Sequence, residues 1–98
     1  MIDFTYFDNK GSLDEYDVLL TILAYFDIYL AKQVARLLFI EEDELVGILR
    51  YHTDHKDIKQ FIDYAETNKD SFFSSYMDYL GNDFINKDDI MSLIFFAK

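Results

Sequence analysis

The stretch from Leu13 to Ile40 contains neither proline nor glycine, and its apolar residues return at helical spacing rather than alternating. Tyr16, Leu19, Leu20, Leu23, Phe26 and Leu30 form one stripe, and Val18, Ile22, Tyr25 and Tyr29 form a second, which predicts a helix buried on two sides and central to the fold. Ser12 followed three residues later by Glu15 has capping-box spacing, so the helix is expected to begin at Leu13. One helix through to Ile40 would exceed the usual globular length. A break near Asp27 to Leu30 lets Val34, Leu37 and Leu38 fold back on the first half.

The same reasoning divides the rest of the chain. A helix from Glu42 to His52 turns Leu45, Ile48 and Leu49 inward. Thr53 or Asp54 is expected to cap the next, from about His55 to Thr67, with Ile58, Phe61, Ile62 and Ala65 inward. Asp70 or Ser71 opens a fifth, carrying Phe72, Phe73, Tyr76, Met77 and Leu80 and stopped by Gly81, and Asn86 caps a short last helix through Ile90, Met91, Leu93, Ile94 and Phe95. Ahead of them, Ile2, Phe4 and Tyr6 alternate with Asp3 and Thr5 and suggest a short extended N-terminal arm. The expected fold is all-α: a compact bundle of five to six short helices, a single domain over residues 1–98, with Leu20, Leu23, Leu37, Leu38, Leu45, Leu49, Phe61 and Phe73 in its core.

Charge narrows the classes of partner. Nineteen acidic residues against nine Lys and Arg give a net charge of −10, a field that repels nucleic acid and anionic membranes and steers basic partners inward. With no cysteine, stability must come from packing, and no disulfide or thiolate metal site can form. Ten Phe and eight Tyr exceed what a minimal core needs, and exposed Tyr is a frequent interface anchor. The start of the sequence has no basic segment followed by a long apolar run, so a soluble cytoplasmic protein is expected.

Catalytic and metal chemistry find little support. His52 and His55, interleaved with Asp54 and Asp57, have ligand spacing only if one helix spans them; a break at Thr53 or Asp54 would leave two exposed histidines and no metal site. Gly11, Gly47 and Gly81 are isolated, so no phosphate-cradling loop exists, and no serine has a histidine near it in sequence. We expect neither cofactor nor enzymatic activity.

Two resemblances add to this reading. Residues Gln33 to Ile48 resemble a helix-turn-helix unit: Ala35 is the small residue of the first helix, Leu38 and Ile40 flank the turn, and Leu45 and Ile48 face inward from the second helix. The resemblance implies a tri-helical core. Phe39 stands where the family commonly has glycine, and Glu41, Glu42, Asp43 and Glu44 occupy the positions from which the family reads bases. A DNA-binding regulator of this kind would need a basic patch built from Lys32, Arg36, Arg50, Lys56 and Lys59. In overall character the chain also resembles the small, acidic, cysteine-free helical immunity proteins of bacterial toxin–immunity pairs, of the contact-dependent-inhibition or nuclease-colicin type. That resemblance implies a basic nuclease toxin as partner and a monomer when free; a phage-encoded inhibitor of a nucleic-acid-binding complex would use the same complementarity. The expected partner face is Glu41, Glu42, Asp43, Glu44, Asp54 and Asp57 with Tyr51 as aromatic anchor, because residues 39–57 hold these six acids against only Arg50 and Lys56.

Overall fold

The first described helix, α1 (Glu15–Phe26), starts two residues later than the capping-box spacing suggests. Asp14 is the cap: its Oδ1 accepts from the Tyr16 amide at 2.7 Å and the Asp17 amide at 3.3 Å. A carboxylate there is a charge-assisted acceptor at the positive end of the helix. The computed structural model describes residues 14–81 and 85–96, so Ser12, Leu13 and the expected N-terminal arm lie outside the described residues. Val18, Leu19, Leu20, Thr21, Ile22 and Leu23 are all buried, so α1 is surrounded on every side through its middle turns. Thr21, the polar member of that run, donates its hydroxyl to the Asp17 carbonyl at 2.9 Å.

The break expected in the long apolar stretch falls at one residue. Asp27 ends α1 and caps α2 (Ile28–Leu37) with an extended backbone, φ −160° and ψ 104°. Its amide donates to Leu23 O at 2.8 Å, its Oδ1 accepts from Tyr29 N at 3.0 Å and Leu30 N at 3.4 Å, and its carbonyl accepts from Ala31 N at 3.1 Å. The reversal sets Ala31, Val34 and Ala35 into the core. Of the expected second face, Val18 and Ile22 are buried, whereas Tyr25 and Tyr29, at the break and beyond it, are exposed.

The link to α3 (Glu42–His52) is a Schellman turn. Ile40 N donates to Ala35 O at 2.9 Å and Phe39 N to Arg36 O at 3.0 Å, with Phe39 in the left-handed region at φ 62°. Glycine commonly fills that position; here a phenylalanine does, and its ring is 74% exposed. The following helix α4 (Lys56–Thr67) is capped by His55, whose Nδ1 accepts from Asp57 N at 3.2 Å, and not by Thr53 or Asp54. Thr53 instead closes α3, donating both its amide and its hydroxyl to Leu49 O.

A second single-residue break joins α4 to α5 (Lys69–Leu80). Asn68, φ −152°, donates its amide to Tyr64 O at 3.2 Å and accepts from Ser71 N at its Oδ1 at 3.2 Å, displacing the expected caps Asp70 and Ser71. Gly81 stops α5 as expected, at φ 88°. Asn86 precedes α6 (Lys87–Phe95), but its side chain does not cap it; its Nδ2 donates to Leu37 O at 2.6 Å and ties α6 to the end of α2.

The six described helices contribute to one core, with α2, α3 and α4 packed on α1. Tyr76 is wholly buried and donates its hydroxyl to Glu15 O at 2.6 Å, joining α5 to the first turn of α1. Burial, then the nearby Glu15 carboxylate, holds that phenol well above its usual pKa. Phe72 meets Phe73 edge-on at 5.1 Å, and Phe73 meets Phe26 at 6.2 Å. Leu20, Leu23, Leu45, Phe61 and Phe73 are buried as expected, whereas Leu37, Leu38 and Leu49 are half-buried because they lie at helix ends or along a groove. Among the described residues, no helix is long and apolar enough to cross a membrane.

Two substitutions test these devices. Asp27→Ala removes the cap and should cost about 0.5–2 kcal/mol in urea unfolding, with Asp27→Asn retaining most of the stability. At Phe39, both Gly and Ala delete the ring, yet Phe39→Gly should be more stable than Phe39→Ala by about 1 kcal/mol, the reverse of their order at an ordinary position, because only glycine enters the left-handed region freely.

Candidate functional site

Helix dipole and spacing together set where the acids of α3 point. Glu42, Asp43 and Glu44 occupy its first turn, where the free amides favour anions, and with Glu41 all four are exposed. Successive residues on a helix are about 100° apart, so they fan around the axis rather than share a face. Glu42 leans toward α2 and pairs with Lys32 at 3.5 Å. Glu44 lies on the opposite flank, near the start of α1, where it adds to the negative field on Asp17.

The structure therefore divides the expected face. Tyr51, 69% exposed, shares the Glu44 flank two turns further along α3. Asp54, just past the other end of α3, lines a separate groove, and Glu42 and Asp54 are roughly 18 Å apart along the helix direction. Asp57 sits in the first turn of α4 beside the His55 cap, its carboxylate 3.9 Å from His55 Nδ1. The sequence reading missed Asp14 and Asp17, which extend the acidic surface from Glu44 onto α1. Asp17 has its pKa raised, first by partial burial and next by Asp14, with His52 pulling the other way and Glu44 adding to the rise.

His52 corrects the expectation of two exposed histidines. It is buried, its Nδ1 2.7 Å from Ile48 O, a bond that makes this nitrogen a donor. Its spacing of seven from Leu45 and four from Ile48 places it on the inward stripe, a signal present in the sequence. Among the described residues no three His, Cys, Asp or Glu side chains converge to hold a metal.

A groove of about 620 Å³ opens between α1, the start of α2, the end of α3 and α4. Ala24, Ile28, Leu49 and Ile62 give it an apolar floor, and Asp54, Asp63, Glu66 and Lys59 stand around it. Tyr25 spans one end, donating its hydroxyl to Glu66 Oε2 at 2.8 Å. That bond, then the charge of Glu66, raises the pKa of the Tyr25 phenol. A second depression of about 440 Å³ lies at the turn between α2 and α3, lined by Lys32, Arg36, Phe39, Ile40, Glu41 and Glu42 among others. The basic residues that a DNA-binding reading would gather are thus distributed: Lys32 and Arg36 share this depression with two glutamates, and Lys59 stands on the acidic groove.

Comparison with protein-family models, curated proteins and solved structures finds no match.

Asp17 gives a pH test of this surface. Its folded-state pKa lies above the unfolded value, so the folded chain holds this proton to higher pH; the carboxylate destabilises above the folded pKa and is relieved as pH falls toward the unfolded value. Melting curves should show the difference between the wild type and Asp17→Asn moving in favour of the wild type as pH falls from 7 to about 4. A constant difference would contradict the crowding of Asp14, Asp17 and Glu44.

Proposed function

We propose that this chain is a non-enzymatic protein-binding inhibitor, an immunity protein that neutralises a basic nuclease toxin. The observation that carries the reading is the set of exposed carboxylates that fan around the start of α3 from Glu41 to Glu44, with the half-buried Asp17 and the cap Asp14 extending the negative field beside Glu44, on a chain of net charge −10. Nuclease active sites are basic because they hold phosphates, and such a surface offers carboxylates in their place while Tyr51 supplies an aromatic anchor. Complementary fields of this kind act chiefly on the rate of encounter.

Affinity capture from the native cell, followed by nuclease assay of the captured protein with and without this chain, is the direct test. The expected partner is a basic nuclease whose activity is lost in the complex. An acidic partner or a nucleic acid overturns the reading. In the captured complex, Glu42→Lys with Asp43→Lys should slow association and weaken its salt dependence, while Tyr51→Ala should mainly speed dissociation. The charge swaps should lower fold stability by only about 0.3–1 kcal/mol each, through the helix-dipole interaction. Unchanged rates, with Asp78, Asp88 or Asp89 variants impaired instead, would move the working surface to α5 and α6.

A further inference from the structure

The groove between α1, α3 and α4 has a composition that the fold itself does not require. Its volume, about 620 Å³, falls in the range of roughly 300–1,000 Å³ typical of binding pockets. Ile28 and Tyr25 remain 44% and 54% exposed beside it. Its charged rim is three carboxylates to one lysine, and among the described residues neither Asp54 nor Asp63 is ion-paired.

The position of those carboxylates is the more telling fact. Acids at helix starts are explained by the macrodipole, but Glu66 lies in the last turn of α4, where the carbonyl end repels anions, and Asp54 stands between the Thr53 end of α3 and the His55 cap of α4. The dipole of its own helix opposes Glu66, which the Tyr25 hydroxyl holds in place. Along α4, Lys59, Ile62, Asp63 and Glu66 recur at spacings of three, one and three, so a single helical stripe about 10 Å long borders the groove.

We propose that this groove docks a short basic amphipathic helix of the partner protein, with its apolar side chains on Ala24, Ile28, Leu49 and Ile62 and its Lys or Arg residues against Asp54, Asp63 and Glu66. The inference rests on the reading of the chain as a binder of a basic protein and assigns that partner a second contact, distinct from the acidic start of α3. A two-turn stripe beside an apolar trough suits helix-in-groove recognition. A second copy of this chain fits poorly, because it would bring another net charge of −10 against an acidic rim.

The probe is a synthetic helical peptide of Leu and Lys, compared by fluorescence anisotropy with an all-Lys peptide of equal charge. The Leu/Lys peptide should bind the full chain about tenfold more tightly than the all-Lys peptide, and should shift the amide resonances of Ala24, Ile28, Leu49, Ile62 and Asp63. Asp54→Lys and Asp63→Lys should each weaken it by about tenfold without lowering the melting temperature, and Ile28→Ser should weaken it severalfold, while Glu42→Lys changes it less than about twofold. Equal binding of both peptides, resonance shifts outside the groove, or an effect of Glu42→Lys as large as that of Asp63→Lys overturns the proposal. The two readings fail separately. If the captured partner is basic and Asp63→Lys leaves its affinity intact while Glu42→Lys does not, the groove assignment falls and the inhibitor reading stands; if the captured partner is acidic, the inhibitor reading falls whatever the peptides do.

Discussion

Asp27 is the constraint on which the rest of the structure depends. Without a break there, residues 15–37 would form one rod of about 35 Å, longer than the roughly 27 Å that the folded chain spans in any direction. The side chain satisfies the amides at the start of α2 while the backbone amide completes the last turn of α1, so the chain reverses with no residue left over for a loop. Reversal brings Ala31 and Ala35 against the buried stripe of α1, and their small side chains allow close approach of the two helices. Asn68 repeats the device between α4 and α5 with nearly the same backbone angles. Two Asx residues thus do the work usually given to glycine and proline, in a chain with three glycines and no proline.

That choice of device explains which parts of the fold were legible in the sequence. The helices and their inward faces followed from periodicity, since Val18 to Leu23, Ile58, Phe61, Ala65, Phe72, Phe73, Tyr76 and Met77 are buried as their spacing implies. Gly81 followed from chemistry, because a left-handed stop favours glycine. Caps were harder to assign. Thr53, Asp54 and His55 are all competent, as are Asn68, Asp70 and Ser71, and the choice is made by the register that places Ile58 and Phe72 in the core rather than by local preference. Asn86 shows the same limit: it stands at the expected position, but a tertiary bond to Leu37 takes the side chain that local chemistry would assign to the helix start.

The acidic start of α3 was legible because four consecutive carboxylates at a helix N-terminus are local information. The groove was not, since it takes Tyr25 from α1, Ile28 from α2, Leu49 from α3 and Ile62 from α4, residues that meet only after both reversals. In the sequence Asp63 and Glu66 are ordinary polar positions of an amphipathic helix. Asp54 lies apart from Glu42 because the length of α3 separates residues that a linear charge count puts together.

Several features of this surface oppose the stability of the isolated chain, and they differ from the acids that the fold explains by itself. Glu42, Asp43 and Glu44 meet the positive end of α3 and need no partner to account for them. Asp17 lies among like charges, Glu66 meets the negative end of α4, and Phe39 holds a bulky exposed residue in a backbone region that disfavours it. Strained or repelled groups persist where the surrounding structure enforces them, and they gather at sites of recognition. A fold tuned only for its own stability would carry lysine at the end of α4 and glycine at position 39. A basic apolar segment in the groove would supply from outside the positive charge missing at the end of α4.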